Sequence, residues 1–326
     1  MSRGPLSRLL RRVRGVRSRD DERFLLLHLP AGLTLLLVIL AMLGVFIAYS
    51  IPIISREGLH VFTDTTWRAV EGDPQAEWYG LLPAIYGSVY TSLIAVLIAA
   101  PLSVSLAVTL EELTPRRLRG SLSLLTDLMA ATPTIIYGLW GLAFLAPHMY
   151  PILSWLSNHA SWIPLFSKHP SSGYTIATAG VLLAVMSTPF AAAVIREAYS
   201  MIPLSIREAA YSLGATRLEV IRILLGMIKP SIVAGLALAF ARAIGETVAV
   251  SLVIGNSMTI TPSVTDSGIT VSSLIASQFG NAGFYHYMAS ALFAGGLVIF
   301  AIGLAVNVAA VWYMKKWEEK VVGVAS

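Results

Sequence analysis

The 326-residue sequence contains no cysteine, and only 13% of its residues are charged. Soluble globular proteins carry roughly 25%. The first absence excludes a disulfide framework, a thiolate nucleophile and a zinc–cysteine site. The second excludes an ordinary cytosolic enzyme and a disordered chain. No Gly-x-x-x-x-Gly-Lys-Ser/Thr loop is present, so no P-loop in this polypeptide hydrolyses nucleotide. His-Glu-x-x-His and Gly-x-Ser-x-Gly are missing too, which removes support for a zincin-type metal site or an intramembrane hydrolase. The histidines (His28, His60, His148, His159, His169 and His286) are scattered near loops or ends. Neither catalysis nor a cofactor or metal is expected of this chain.

Apolar residues are abundant instead, at 56%, with a mean hydropathy of +0.73. A helix needs about 20 apolar residues to cross a bilayer. Six runs qualify: residues 33–54, 88–110, 128–145, 174–195, 232–254 and 288–314. The expected fold is therefore all-α, a polytopic membrane protein with six transmembrane helices. A single transmembrane domain, 29–320, would follow a basic segment, 1–28, and precede a short tail, 321–326. Prolines 147, 151, 164 and 170 suggest that 146–173 is an extracytoplasmic loop with an interfacial helix near Trp155 and Trp162. Residues 256–287 read similarly, polar around a short apolar piece at 272–279.

The net charge of +5 is unevenly placed. With the N-terminus inside, 19 of the 23 Lys and Arg fall in cytoplasmic segments, three fall outside and Arg242 lies in a span. That asymmetry predicts both termini cytoplasmic. The Arg-rich start then reads as a topology anchor before an apolar span, and no nucleic acid is expected. The start also resembles a secretory signal, with Ala48-Tyr49-Ser50 as a small-x-small site, but its apolar stretch exceeds the usual length, which favours an uncleaved first helix.

The loop 196–230 carries the clearest local signals. Ser205-Ile206-Arg207-Glu208 fits a capping box opening a short helix, and Gly214 can supply its left-handed end. Thr216-Arg217-Leu218-Glu219 fits a second capping box. Read alone, Glu208 and Gly214 serve as caps. In the fifth run, Arg242 and Glu246 stand at i, i+4, facing small residues along the stripe of Gly235, Ala239 and Ala249. Each isolated mid-span charge costs about 2.5–3.5 kcal/mol, so mutual pairing is expected, either as a structural ion pair or lining a pathway.

Glu208-Ala209-Ala210-x-x-x-Gly214 resembles the EAA motif of ABC-importer permeases, although Gly226-Met227 stands where that family has Leu-Pro and the nearest proline is Pro230. The stretch from Arg242 through Gly-Glu-Thr-Val-Ala-Val to Gly255-Asn256 is similar to the phosphate-importer permease family PstC. The paired PstA family differs after Gly-Glu-Thr. Leu82 through Ser88, Leu118-Arg119-Gly120 and Pro133 through Gly141 agree with the PstC type. The resemblance implies a multi-pass subunit of the plasma (inner) membrane carrying inorganic phosphate. Its implied partners are a PstA-like permease subunit, an ABC ATPase dimer that hydrolyses the ATP, an extracytoplasmic phosphate-binding protein and membrane lipid. It also implies ATPase coupling through Glu208, Ala209, Ala210 and Gly214, and a substrate path at Arg242, Glu246 and Thr247. Thr132, Thr134, Ser187 and Thr188, beside prolines, are further hydroxyls, though such groups more often re-satisfy freed backbone. A permease for molybdate or sulfate, the PstA-like partner itself, a stand-alone secondary transporter and a membrane scaffold remain alternatives.

Overall fold

The computed structural model describes residues 19–324, so the first part of the Arg-rich anchor lies outside the described residues. The chain divides into two compact units between Tyr49 and Ser50. The first consists of the leading part of helix α1 (Arg19–Glu57), in which the Thr34 hydroxyl donates to the Pro30 carbonyl at 2.8 Å. The second contains every later element and the hydrophobic cores described below.

Eleven longer helices organise the described chain. After α1 come α2 (Leu82–Val108), α3 (Arg116–Ala131), α4 (Thr134–Trp140), α5 (Ala146–His159), α6 (Ile176–Ser200), α7 (Leu204–Ser212), α8 (Arg217–Met227), α9 (Lys229–Gly245), α10 (Val271–Gln278) and α11 (Met288–Val324). Five segments are long and apolar enough to cross a membrane: His28–Glu57, Leu82–Leu113, Thr134–His159, Ile176–Ser200 and Met288–Trp317. A sixth is reached if α8 and α9, bent by 68°, count together. The bend falls at Ile228, and Pro230 enters the first turn of α9, where its missing amide costs nothing.

Small residues let the spans approach. A Cβ on Gly180 of α6 would stand 2.5 Å from Ile94 of α2, and one on Gly235 of α9 would stand 3.3 Å from the Ala191 carbonyl of α6. Membrane helices lack a hydrophobic drive toward one another, so this close backbone packing is their cohesion.

Two expected spans are placed differently. The 128–145 run straddles a break, because Pro133 forces Thr132 into an extended conformation (ψ 132°) that separates α3 from α4. The helix then continues well past 145. A π-helical turn, Gly141–Leu145, leads into Ala146-Pro147, and α5 tolerates Pro151 inside. Residues 146–159 are thus helix rather than loop. The 232–254 run is also broken, at Glu246, as described below.

The segments between spans are ordered. Asp64 Oδ1 accepts the amides of Thr65 and Thr66 at 2.6 and 3.0 Å, and Oδ2 accepts the Trp78 indole at 2.6 Å. These donors hold its carboxyl below the usual range, the Thr66 amide foremost. They brace a two-stranded hairpin, β1 (Trp67–Arg68) against β2 (Trp78–Tyr79), with Trp67 opposite Tyr79. Glu77, buried, accepts the Tyr79 hydroxyl and the amides of His286 and Tyr287, at 3.0, 2.9 and 2.9 Å. Farther on, Val264 donates its amide to the Leu165 carbonyl at 2.9 Å, joining the 146–173 and 256–287 segments. The apolar piece expected at 272–279 is α10, with Val271, Ser272, Ser273 and Leu274 buried.

Candidate functional site

The fifth apolar run stops being a helix at its charged end. Glu246 is extended (φ −68°, ψ 127°), and a single turn, Val248–Ser251, resumes after Thr247. Gly245, followed by Glu246 and the β-branched Thr247 and Val248, weakens the helix here. The freed backbone groups then find other partners. Ala243 O accepts the Glu246 amide at 3.3 Å, Gly245 O accepts the Thr247 hydroxyl at 3.2 Å, and Ile244 O accepts the Ser272 hydroxyl at 3.4 Å. Irregular backbone at membrane depth requires this kind of re-satisfaction.

The break separates the charges. Four ion pairs occur among the described residues, and none joins Arg242 to Glu246. The expected mutual pairing is therefore corrected: with the helix ended, i, i+4 spacing no longer brings the groups to one face. Glu246 Oε1 instead accepts the Ala249 amide at 3.4 Å. The Arg242 guanidinium lies 5.5 Å from the Phe190 ring centroid, and its Nε is buried without a hydrogen-bond partner. A half-buried guanidinium stacked on one aromatic face, with donors to spare, suits an oxyanion.

α4 faces this break. A Cβ on Gly138 would stand 3.0 Å from Ala249 Cα, and one on Gly141 would stand 2.8 Å from Leu182 and 3.0 Å from Val253. Gly255 (φ 90°) and Asn256 (φ 51°) turn the chain beyond it, where a Cβ on Gly255 would overlap Ser267. Of the four neighbouring hydroxyls, Thr132 donates to Leu128 O at 2.9 Å and Thr188 to Ala184 O at 2.7 Å. Ser187 Oγ is buried without a partner.

The loop 196–230 forms two helices, as its sequence indicates, but with one different start. α7 begins at Leu204 after Pro203, with no side-chain cap, so Ser205 and Glu208 do not form the expected capping box. Pro203 takes the N-cap position two residues earlier and leaves Ser205 inside the helix. The end matches expectation. Gly214 has φ 81°, its amide donates to Tyr211 O at 2.9 Å, and the Ala215 amide donates to Ala210 O at 3.2 Å. This is the paired bonding of a Schellman end. The second box forms, with the Thr216 amide donating to Glu219 Oε2 at 2.7 Å.

Helical spacing divides the motif between two faces. Ile206 and Ala210 pack inward against Tyr199, Ile202, Val220 and Leu224. Glu208 and Ala209 face outward beside exposed Leu204, Tyr211 and Leu213, the last 89% accessible. No ion pair among the described residues engages Glu208. Sequence reasoning missed Arg207, just before the motif and turned inward, and Ser272, whose bond crosses 28 residues.

Five or six helices long and apolar enough to cross a bilayer, with one apolar run broken at polar residues, define a multi-pass membrane protein. The chain belongs to the family of binding-protein-dependent transport system inner membrane components, whose model matches residues 99–319. It is 47% identical over 304 residues to a probable phosphate transport system permease protein PstC of Methanocaldococcus jannaschii, covering 93% of this chain and 96% of that one. A phosphate transport system permease protein PstC of Xylella fastidiosa is 36% identical over 303 residues, with 91% of each chain covered. A solved structure of the MetNI methionine ABC transporter, inward facing, covers 72% of this chain and 93% of its own at 18% identity and a TM-score of 0.49.

Proposed function

We propose that this chain is the PstC-type permease subunit of an ATP-driven importer for inorganic phosphate, forming half of the translocation pathway. Arg242 carries the reading: its charge is not neutralised by Glu246, and its guanidinium retains donors at a break in a span. Phosphate accepts a two-pronged guanidinium contact and keeps a proton near neutral pH. The Glu246 carboxylate can accept that proton's hydrogen bond while repelling fully ionised anions such as sulfate. Thr247 would add a neutral hydroxyl beside them.

Energy comes from a separate ATPase dimer that docks on the outward face of α7, through Glu208 and Ala209 and the turn at Gly214. Ala210 supports that helix from within. The exposed apolar side chains beside Glu208 favour a protein partner there. With 19 of 23 basic residues on one side, both termini are cytoplasmic. A PstA-like subunit supplies the other half of the path, and an extracytoplasmic phosphate-binding protein delivers the anion. The transmembrane domain spans 29–320, with 1–28 and 321–326 flanking it in the cytoplasm. Reconstitution with the ATPase and binding protein tests the whole: phosphate, delivered by the binding protein, should stimulate ATP hydrolysis and be taken up. Stimulation by sulfate or molybdate in its place overturns the substrate.

A further inference from the structure

One acidic residue holds α7 to the spans. Glu112 lies in the π turn Thr109–Leu113 that ends α2, and three other elements converge on it. Its Oε1 accepts Arg207 Nη1 of α7 at 2.7 Å and the hydroxyl of Tyr199, near the end of α6, at 3.0 Å. Its main-chain carbonyl accepts Nη2 of Arg217, the first residue of α8. The Arg207 guanidinium also lies 5.2 Å from the Tyr199 ring centroid. The Arg207 and Glu112 side chains are only 20% and 11% accessible, whereas each of the other three ion pairs has a partner at 37% or more. Those surface pairs are screened by water; this one is directional and shielded.

A line of specific contacts continues from Glu112 to the broken span. α2 is 27 residues long, about 40 Å of continuous helix that carries Pro101 inside. At its far end a Cβ on Gly87 would overlap the Ile269 carbonyl, and Ser88 Oγ accepts the Val271 amide at 2.8 Å. Val271 opens α10, and its neighbour Ser272 donates to Ile244 O at the break beside Glu246.

We propose that Glu112 is a positioning residue that ties the ATPase-facing helix to the ends of α2 and α6, so that displacement of α7 moves those spans and, through α10, the Ile244–Glu246 break. The apolar contacts of Ile206 and Ala210 hold α7 without direction; the Glu112–Arg207 bond fixes its register. The inference rests on the importer reading above.

The test uses the complete reconstituted complex. Glu112→Gln preserves volume and removes the charge. Uptake per ATP hydrolysed should fall about tenfold or more, as expected from losing a shielded charge-assisted bond, while the ATPase still co-purifies. The reversed pair, Glu112→Arg with Arg207→Glu, should recover most of that ratio. Wild-type uptake per ATP in Glu112→Gln overturns the assignment, as does loss of ATPase co-purification in step with uptake, or a reversed pair no better than its single variants. A nitroxide on Ser212→Cys, at an exposed position of a chain without native cysteine, reads α7 directly when recorded on the full-length permease before the ATPase is added. Its spectrum should become more mobile with Glu112→Gln whichever anion is carried; an unchanged spectrum also overturns the tie. Failure of phosphate to stimulate the wild-type complex counts against the substrate alone.

Discussion

Gly138 and Ala249 touch backbone to backbone: a Cβ on Gly138 would stand 3.0 Å from Ala249 Cα, with Leu252 Cδ1 at 2.8 Å. The contact presses α4 onto the single turn that follows the break, so a helix across the bundle sets where Arg242, Glu246 and Thr247 lie. Gly138→Ala should destabilise the purified protein by about 1–3 kcal/mol, because the leucine can move but the Ala249 backbone cannot. Gly138→Val should be worse. A thermal-unfolding midpoint in detergent equal to wild type in both would show that the two segments part easily.

Arg242 and Glu246 form no ion pair, so their substitutions should be nearly independent in stability. A double-mutant cycle of Arg242→Gln and Glu246→Met, read as protein stability, should give an interaction energy under about 0.5 kcal/mol, as for sites with no shared contact. A coupling of several kcal/mol would restore the ion pair. In phosphate uptake, Arg242→Lys should fail substantially, since a point charge cannot copy the two-pronged contact. Glu246→Gln should keep more activity and weaken the preference for phosphate over sulfate.

Gly214→Pro removes an amide that bonds Tyr211 O and forbids φ 81°, so it should abolish ATPase co-purification and uptake while the protein still reaches the membrane. Glu208→Lys acts differently. Its side chain faces outward and is not ion-paired among the described residues, so thermal stability should stay within about 0.5 kcal/mol of wild type while ATPase binding is lost. Normal co-purification in both variants would remove α7 from the ATPase contact.

Orientation can be read with single cysteines, which the chain otherwise lacks. Exposed Ser171 and Asn281, changed to cysteine, should react with impermeant thiol reagents from outside. Ser121→Cys and Ser205→Cys, also exposed, should react only after permeabilisation. Labelling of Ser205→Cys from outside would reverse the topology and place α7 beyond reach of a cytoplasmic ATPase. Ser267 is unsuited to this purpose, because its hydroxyl bonds Tyr174 O at 3.0 Å beside Gly255.

The sequence by itself determined what depends on neighbours in the chain. Apolar runs require helices in a bilayer, because every backbone group must be satisfied within the segment. Gly214 ends α7 and Thr216 opens α8, since a left-handed turn and a capping box need only a few consecutive residues. Tertiary structure decided the rest. Hydropathy cannot see that the 232–254 run breaks at Glu246, because the break depends on the Ser272 hydroxyl reaching Ile244 O and on Gly138 abutting Ala249. Proline density misplaced 146–159, because a preceding π turn accommodates Pro147 within a continuing helix. The spacing of Arg242 and Glu246 implied a pair only on an intact helix. Arg207 finds Glu112 across 95 residues, a contact made only when the ends of α2, α6 and α7 are brought together. Local chemistry writes helices and their ends; which charges meet, and where a span gives way, depends on contacts between residues far apart in the chain.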